Sequence, residues 1–452
     1  MNKIEEIKEF VWRILETLRT AMYYRESEYG VVRLVFIKYA VDNYIGATSV
    51  EDMQMCSRAQ KMFSMRDVEN GIDTIIPVLQ YIDKAYGLKD VICSPESVDS
   101  YSAELFGYGG RAQKKNTTTE NYKDVIRLLC SVDLEENDDS LSKGQLLVMA
   151  LTDVIVNSSY RNRYAAEHTT KPQLSKLVSM LLNVQADDRY CDFTCGVGLS
   201  TLGIVRDKST AIKNADINPS AVSVAAMLLI MSGYKSLDLR CEDTLNNSIP
   251  DFKGNKVFVD APFGMRLEKK SENEYNDSSL ASIDKAMSYY LDESGDAMLI
   301  VNVPSGVLFK QGQALMLKKK LIDDRMLRAV IALPPLNNGT IVSSNLLVIT
   351  REENDEVMFI NASECQPQVV RKGDISGNIA LPEERIEQIV HAFYDNEEEK
   401  GFSKCISMEE IAKQEYNLVP TVYIPPIVEE DNTSIEEINK QLDELYKQLL
   451  GQ

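Results

Sequence analysis

The sequence predicts an α/β protein in which a mostly parallel sheet is covered by helices, with an all-helical region before it and an acidic region after it. Two patterns and one charge asymmetry carry this reading. Over the first 130 residues apolar side chains recur at three-to-four spacing, as in Val11, Ile14, Leu15, Leu18 and then Leu34, Val35, Ile37, Val41. From about 145 to 365 helical segments instead separate short apolar strands, the arrangement that demands crossover connections. Residues 351–452 hold 9 Lys and Arg against 23 Asp and Glu, so they carry −14 of the total charge of −20.

The helical region is bounded near residue 140. A polar stretch from Gly107 through Thr119 and the acidic run Asp133, Glu135, Glu136, Asp138, Asp139 have the composition of connecting segments. The domains expected are therefore 1–140, 141–365 and 366–452. Strands are expected at 190–192, 211–216, 237–241, 257–260, 297–303, 329–333 and 346–350. Ligands of such sheets sit beyond the carboxyl ends of the strands. At the end of the chain, Ser434 and Glu437 match a helix capping box, and Ile435, Ile438, Leu442, Leu445, Leu449 repeat at heptad spacing. Two heptads are too short to stand alone, so this helix is expected to dock against its own body or a partner.

Composition excludes several function classes. The longest apolar stretch, Ala221 to Met231, is about half of the roughly 20 residues that span a membrane, which predicts a soluble, cytoplasmic protein with no membrane partner. The eight cysteines show no paired metal-ligand spacing, and only His168 and His391 could complete a set, so no metal site is expected. A chain this acidic should repel polyanions, because non-specific DNA affinity comes mainly from Lys and Arg. If it acts on nucleic acid, a partner supplies much of the grip.

The chemistry concentrates at strand ends. Asp192, Phe193, Thr194, Cys195, Gly196, Val197, Gly198 leave the first strand and enter a helix. The two glycines let backbone approach a ligand, and the helix start offers unpaired N–H groups. A nicotinamide fingerprint would want a third glycine where the chain has Thr201. Asp216 follows the second strand and Asp243 the third, and carboxylates so placed suit a ligand that carries a diol, an amino-purine and positive charge. S-adenosylmethionine has all three properties. Against this stand blander readings: a tight structural turn for the glycines, a helix cap for each Asp, a packed core ring for Phe263, and small buried residues for Cys191 and Cys195. For the basic cluster Lys318, Lys319, Lys320, Arg325 and Arg328, a solvated helix face competes with a contact to DNA phosphates.

The fourth strand ends in Asp260, Ala261, Pro262, Phe263, Gly264, and here the sequence resembles the adenine-specific (N6) DNA methyltransferases, in particular the modification subunit of type I restriction-modification systems. Glu167-His168-Thr169-Thr170 is similar to that family's Glu-Phe-Tyr-Thr, Ala215-Asp216-Ile217-Asn218-Pro219 to its Gln-Glu-Ile-Asn-Pro, and Glu242-Asp243-Thr244-Leu245 to its Gly-Asp-Thr-Leu. Further matches run from Val303 to Phe309, from Ile331 to Pro335 and over Tyr416-Asn417-Leu418.

The resemblance implies a Rossmann-like S-adenosylmethionine-dependent methyltransferase domain with a mostly parallel seven-stranded sheet. It implies that Asp260 and the Ala261 carbonyl, in a turn completed by Pro262, accept the hydrogens of a target amine while Phe263 stacks on the flipped base. It places the methyl donor against His168, Thr169, Thr170, Asp192, Thr194, Cys195, Gly196, Gly198, Asp216, Ile217, Asp243 and Thr244. The implied partners are DNA, a specificity subunit that reads the site, and a restriction or translocase subunit. Ala261 stands where the family has proline, which removes rigidity but no acceptor. His168 and Lys171 replace the family's Phe and Pro, so the donor lip departs furthest from the pattern. Two alternatives remain beside this reading: a catalytically silent scaffold of the same fold, and the same chemistry on RNA amines or protein amides.

Overall fold

The computed structural model describes residues 3–21, 27–65, 71–94, 119–132, 134, 141–161, 170–267, 275–336, 343–363 and 381–425. Its amino-terminal part is helical, with α1 (Lys3–Ala21), α2 (Ser27–Asp42), α3 (Val50–Met65), α4 (Gly71–Ala85) and α5 (Thr119–Leu129), followed by α6 (Lys143–Arg161). The central helix is α2, which touches α1, α3, α4, α5 and α6. That enclosure explains why nearly every residue from Gly30 to Val41 is buried.

The second part begins with α7 (Pro172–Leu182) and then alternates β1 (Arg189–Asp192), α8 (Leu199–Ile204), β2 (Ala211–Asp216), α9 (Pro219–Met231), β3 (Leu237–Cys241) and β4 (Lys256–Val259). After α10 (Ser278–Lys285) and a single π-helical turn, Ala286–Tyr290, come β5 (Met298–Pro304), α11 (Gly306–Phe309), α12 (Gln313–Asp323), β6 (Leu327–Ala332), β7 (Ser344–Thr350) and β8 (Glu356–Asn361). The last described elements are α13 (Glu383–Asp395), β9 (Ser403–Ser407), α14 (Met408–Lys413) and α15 (Pro420–Tyr423).

All strands join one sheet in the order β3-β2-β1-β4-β5-β7-β6-β8-β9. Neighbours from β3 to β5 are parallel, β7 runs antiparallel between β5 and β6, β8 is parallel to β6, and β9 closes the edge antiparallel to β8. The expectation of seven strands is therefore corrected to nine. All seven expected strands are present; β8 and β9 are the additions. β8 hides behind the charged run from Arg351 to Glu356, and β9 is an edge strand of sequence Ser-Lys-Cys-Ile-Ser with too little apolar alternation to be read as one. The segment after residue 365 thus contributes a strand and three helices to the body of the sheet.

One core lies between the helical region and the sheet, and a second lies on the other face beneath α10, α12 and the chain from Met408 to Ile424. Helix α9 sits between the two parts, packed on β2 and β3 and on α2 and α6. It is buried throughout from Ala221 to Met231, which accounts for the longest apolar run in the chain. No helix among the described residues is long and apolar enough to cross a membrane. The carboxyl ends of β1, β2, β4 and β5 bring Asp192, Asp216, Asp260 and Asn302 to one end of the sheet. The heptad segment from Ser434 onward, together with His168 and Thr169, lies outside the described residues.

Candidate active site

The turn after β1 is built from its own side chains. Asp192 is 1% exposed; its Oδ1 accepts the Thr194 backbone N–H at 3.0 Å and its Oδ2 accepts the Ser200 hydroxyl at 2.6 Å. Gly196 and Gly198 take φ values of 51° and 78°, the left-handed region that favours glycine. Gly198 caps α8, so no cap side chain bonds the first amides of that helix. A Cβ on Gly198 would also meet the Ala225 Cβ of α9 at 3.0 Å, so both conformation and packing require glycine here.

Asp216 ties this turn to the next strand. Its Oδ2 accepts the Gly196 N–H at 2.9 Å, while its Oδ1 accepts the Asn218 N–H at 2.9 Å, and Asn218 in turn caps α9. Ile217 beside it is 64% exposed, an open apolar surface at the lip. Asp243 accepts from the backbone and side chain of Asn246, at 3.2 and 2.7 Å. The Thr244 hydroxyl is buried and donates to the Phe193 carbonyl at 2.8 Å. Cys195 is likewise buried, with its N–H on the Ala215 carbonyl at 3.0 Å. Burial pushes the Cys191 and Cys195 thiols well up, as expected of small apolar residues rather than nucleophiles.

Tyr290 supports the turn from below. Its ring stacks on Phe193 at 4.2 Å, and its hydroxyl donates to the Thr244 carbonyl at 3.2 Å. The π-helical turn sets Tyr290 there, and nothing in the sequence pattern announced it.

The turn after β4 is held from outside. Asp260 Oδ2 accepts the Thr170 hydroxyl at 2.8 Å, from the segment before α7, and Oδ1 accepts the Asn302 amide at 2.8 Å, from β5. The Asp260 N–H points to the Thr194 hydroxyl at 3.4 Å, which joins the two turns. Ser278, at the start of α10, donates to the Pro262 carbonyl at 2.8 Å. Ala261 is buried, Phe263 is half-buried, and Gly264 turns the chain at φ 73°. Helix α7 reaches this place because Gly203 of α8 leaves room for Ser175; a Cβ there would meet the Ser175 Cβ at 2.6 Å.

The electrostatics follow from burial. Desolvation pushes Asp192 up to about 7, and the nearby charges of Asp260 and Asp216 add to the rise, against the pull of its hydrogen bonds. Asp260 is raised by desolvation and pulled back by Asn302 and Thr170. The carboxylates of Asp192, Asp216 and Asp260 thus gather around the glycine turn, an arrangement that favours a cationic ligand.

Of the residues singled out in the sequence, Thr170, Asp192, Thr194, Cys195, Gly196, Gly198, Asp216, Ile217, Asp243 and Thr244 surround the two turns with Asp260 to Phe263. Thr170 bonds Asp260 itself, and Thr194 bridges the turns. Sequence reasoning missed Ser200, Tyr290 and Asn302. Asn302 did leave a signal, as a lone amide in the apolar run Leu299-Ile300-Val301-Asn302-Val303. The basic cluster is engaged internally: Lys318 is buried and donates to the Leu308 carbonyl at 3.0 Å, Lys320 pairs with Asp284 at 3.5 Å, and Arg325 pairs with Asp355. Lys319 lies over the Tyr416 ring at 5.3 Å, and Arg328 donates to Asn396 at 2.8 Å.

A sheet ordered β3-β2-β1-β4-β5-β7-β6 with β7 antiparallel, and a glycine turn after β1, define the class: a Rossmann-like methyltransferase fold. The type I restriction-modification methyltransferase subunit from Streptococcus thermophilus shares it, with a TM-score of 0.72 at 18% identity over 92% of this chain and 98% of that one. Residues 156–432, well over half of the chain, match the N-6 DNA Methylase family, and the protein belongs to that family. The methylase subunit of the type I restriction enzyme MpnII of Mycoplasma pneumoniae is 25% identical over 425 residues, 84% of this chain and 76% of that one. The MjaVIII methylase subunit of Methanocaldococcus jannaschii is 24% identical over 316 residues, 62% of this chain, and the match spans about half (53%) of that relative.

Proposed function

We propose that this protein transfers a methyl group from S-adenosylmethionine to N6 of a flipped adenine in DNA, as the modification subunit of a type I restriction-modification system. The observation that carries the reading is Asp260 at the end of β4: its half-buried carboxylate is held by Thr170 and Asn302, and its backbone N–H points to Thr194 of the glycine turn.

The donor set suits S-adenosylmethionine. Converging carboxylates match its positive charge, the left-handed glycines open the backbone, and Ile217 offers apolar surface for a purine. Asp192, Thr194, Gly196, Gly198, Asp216, Ile217 and Asp243 would hold it, with Thr170 at its edge, while Thr244 and Cys195 brace the turn from within; His168 and Thr169 extend the same lip in the sequence. When bound, it supplies a methyl group made electrophilic by the attached sulfonium.

Asp260 accepts one N–H of the adenine amine and the Ala261 carbonyl the other, which leaves the nitrogen lone pair directed at the methyl carbon. As the amine becomes positive, the Asp260 carboxylate stabilises the charge where it develops. Transfer would break the carbon–sulfur bond, with the sulfur leaving as a neutral thioether, and the extra amine proton goes to Asp260 or to solvent. Phe263, half-buried at the tip of the turn, stacks on the base.

The net charge of −20 supports a division of labour in which a specificity subunit supplies DNA recognition and a restriction or translocase subunit completes the complex. A cytoplasmic site of action fits that assembly. The heptad segment after Ser434 is the docking element for the specificity subunit. Titration calorimetry of the full chain with S-adenosylmethionine, followed by radiolabelled methyl transfer to DNA, RNA and protein, tests the reading. Donor binding with label in DNA adenine is the expected result. A chain that binds no donor is a scaffold, and label in RNA or protein would change the substrate.

A further inference from the structure

Asn302 sits where an apolar residue would serve the fold better. It is 1% exposed near the carboxyl end of β5, flanked by Leu299, Ile300, Val301 and Val303, each fully buried. Its Oδ1 has no hydrogen-bond partner among the described residues, and a buried acceptor left unmatched costs stability. Only its Nδ2 is used within the side chain, and that goes to Asp260 Oδ1 at 2.8 Å. The strand register explains how they meet: Val259 pairs with Val301 in the parallel β4–β5 ladder, so the next residues, Asp260 and Asn302, stand side by side on one face.

We infer that Asn302 is a positioning residue for methyl transfer, fixing the rotamer of Asp260 and keeping its carboxylate ionised so that it can accept from the target amine. This rests on the proposed function and deepens it at the same site. An amide in the position usual for the family can offer both an N–H and a carbonyl, whereas Asp260 offers acceptors alone. Asn302 donates to one of its oxygens from the adjacent strand and Thr170 to the other, so the carboxylate is clamped from two sides. Among the described residues, the titratable group facing Asp260 is Asp192 from β1, a like charge that favours protonation of the pair. From the α7 side, Lys171 follows Thr170 and is buried, and desolvation lowers it to about 8. β5 contributes no charged group beside Asn302.

The test uses the full chain with the subunits that copurify with it, and compares wild type, Asn302→Leu, Asn302→Asp, and the swapped pair Asp260→Asn with Asn302→Asp. Asn302→Leu is expected to lower kcat by about tenfold to a hundredfold with donor Kd unchanged within about twofold, and to move the acidic limb of the kcat–pH profile upward. The limb moves because the lost donor no longer favours the ionised form. Asn302→Asp is expected to be at least as slow, since it faces one carboxylate with another. The swapped pair, which again holds one amide and one carboxylate, should exceed Asn302→Asp by about tenfold. Donor affinity reports that each variant is folded; Asn302→Ser, which keeps a donor in a smaller side chain, replaces Asn302→Leu if that variant loses it. Wild-type kcat and an unmoved limb in Asn302→Leu, or no recovery in the swapped pair, would overturn the role while leaving the methyltransferase reading intact. A wild-type complex without donor binding or methyl transfer would instead overturn the function and this role with it.

Discussion

The turn after β1 and the turn after β4 meet through one hydroxyl, Thr194, yet they are stabilised in opposite ways. In the first, Asp192 bonds Thr194 and Ser200, two and eight residues on, and Gly196 bonds Asp216 of the next strand. In the second, Asp260 takes its partners 90 residues before it, at Thr170, and 42 residues after it, at Asn302. A locally closed turn can be preformed for a ligand that is always the same. A turn clamped by distant elements depends on how α7, β4 and β5 sit together, so its activity can respond to the assembly around it. The comparison teaches that one turn is held largely by nearby residues and the other by distant elements, so under the proposed function donor binding and acceptor chemistry are expected to separate.

The sharpest way to break that separation is Asp260→Ala. Methyl transfer should fall by about a thousandfold, as when an oriented electrostatic group is removed from a reaction centre. Donor affinity measured by calorimetry should stay within about twofold. If it collapses instead, the two turns are one unit.

The next effect is in pH. Asp192 is raised to about 7, and under the proposed function a cationic donor beside it would favour the ionised carboxylate. Donor affinity should therefore rise between pH 6 and 8, by up to about tenfold, with protons released on binding. Calorimetry in buffers of different ionisation enthalpy counts them. The sign for folding is the reverse: an acid whose folded pKa lies above its unfolded value binds more protons when folded, so Tm without donor should fall as pH rises from about 4 to 7. Asp192→Asn should flatten both dependences.

A smaller change tests the donor turn alone. Gly198→Ala places a side chain at φ 78° and 3.0 Å from Ala225, and should cost about 1–2 kcal/mol in urea unfolding along with weaker donor binding. Smallest is Ser278→Ala, which removes the hydroxyl on the Pro262 carbonyl. It should cost about 1 kcal/mol and slow turnover a few-fold without touching donor affinity.

Much of the turn after β1 could be read from the linear order of residues, because Thr194, Ser200 and Asp216 are close to it in the chain, while Thr244 and Tyr290 brace it from farther on. Asp192, Gly196, Gly198 and Asp216 follow strands whose apolar runs are short and well punctuated. The acceptor turn was legible only in its tip, Asp260 to Gly264. The residues that hold the tip come from Thr170, Asn302 and Ser278, and no periodicity links them to it. Tyr290 escaped for a related reason, since a π-helical turn in a buried segment looks like any other apolar stretch. The basic cluster gives the converse lesson. In the sequence its five cations allow a solvated helix face or a contact to DNA phosphates; in the fold each meets a carbonyl, an amide, a ring or a carboxylate of the chain itself.

Hydrophobic spacing was enough by itself to specify a helical region followed by alternating strands and helices, because burial on a sheet or a helix face imposes a period on nearby residues. Acidic residues at strand ends likewise marked the edge of the sheet where Asp192, Asp216 and Asp260 come together. Tertiary structure alone decided that the sheet extends through β8 and β9, that α9 is covered by helices on the side away from the sheet, and that Asp260 is gripped by Asn302. These depend on which strands lie side by side in space, and hydrogen bonds between groups 40 or more residues apart leave no spacing in the chain from which to infer them.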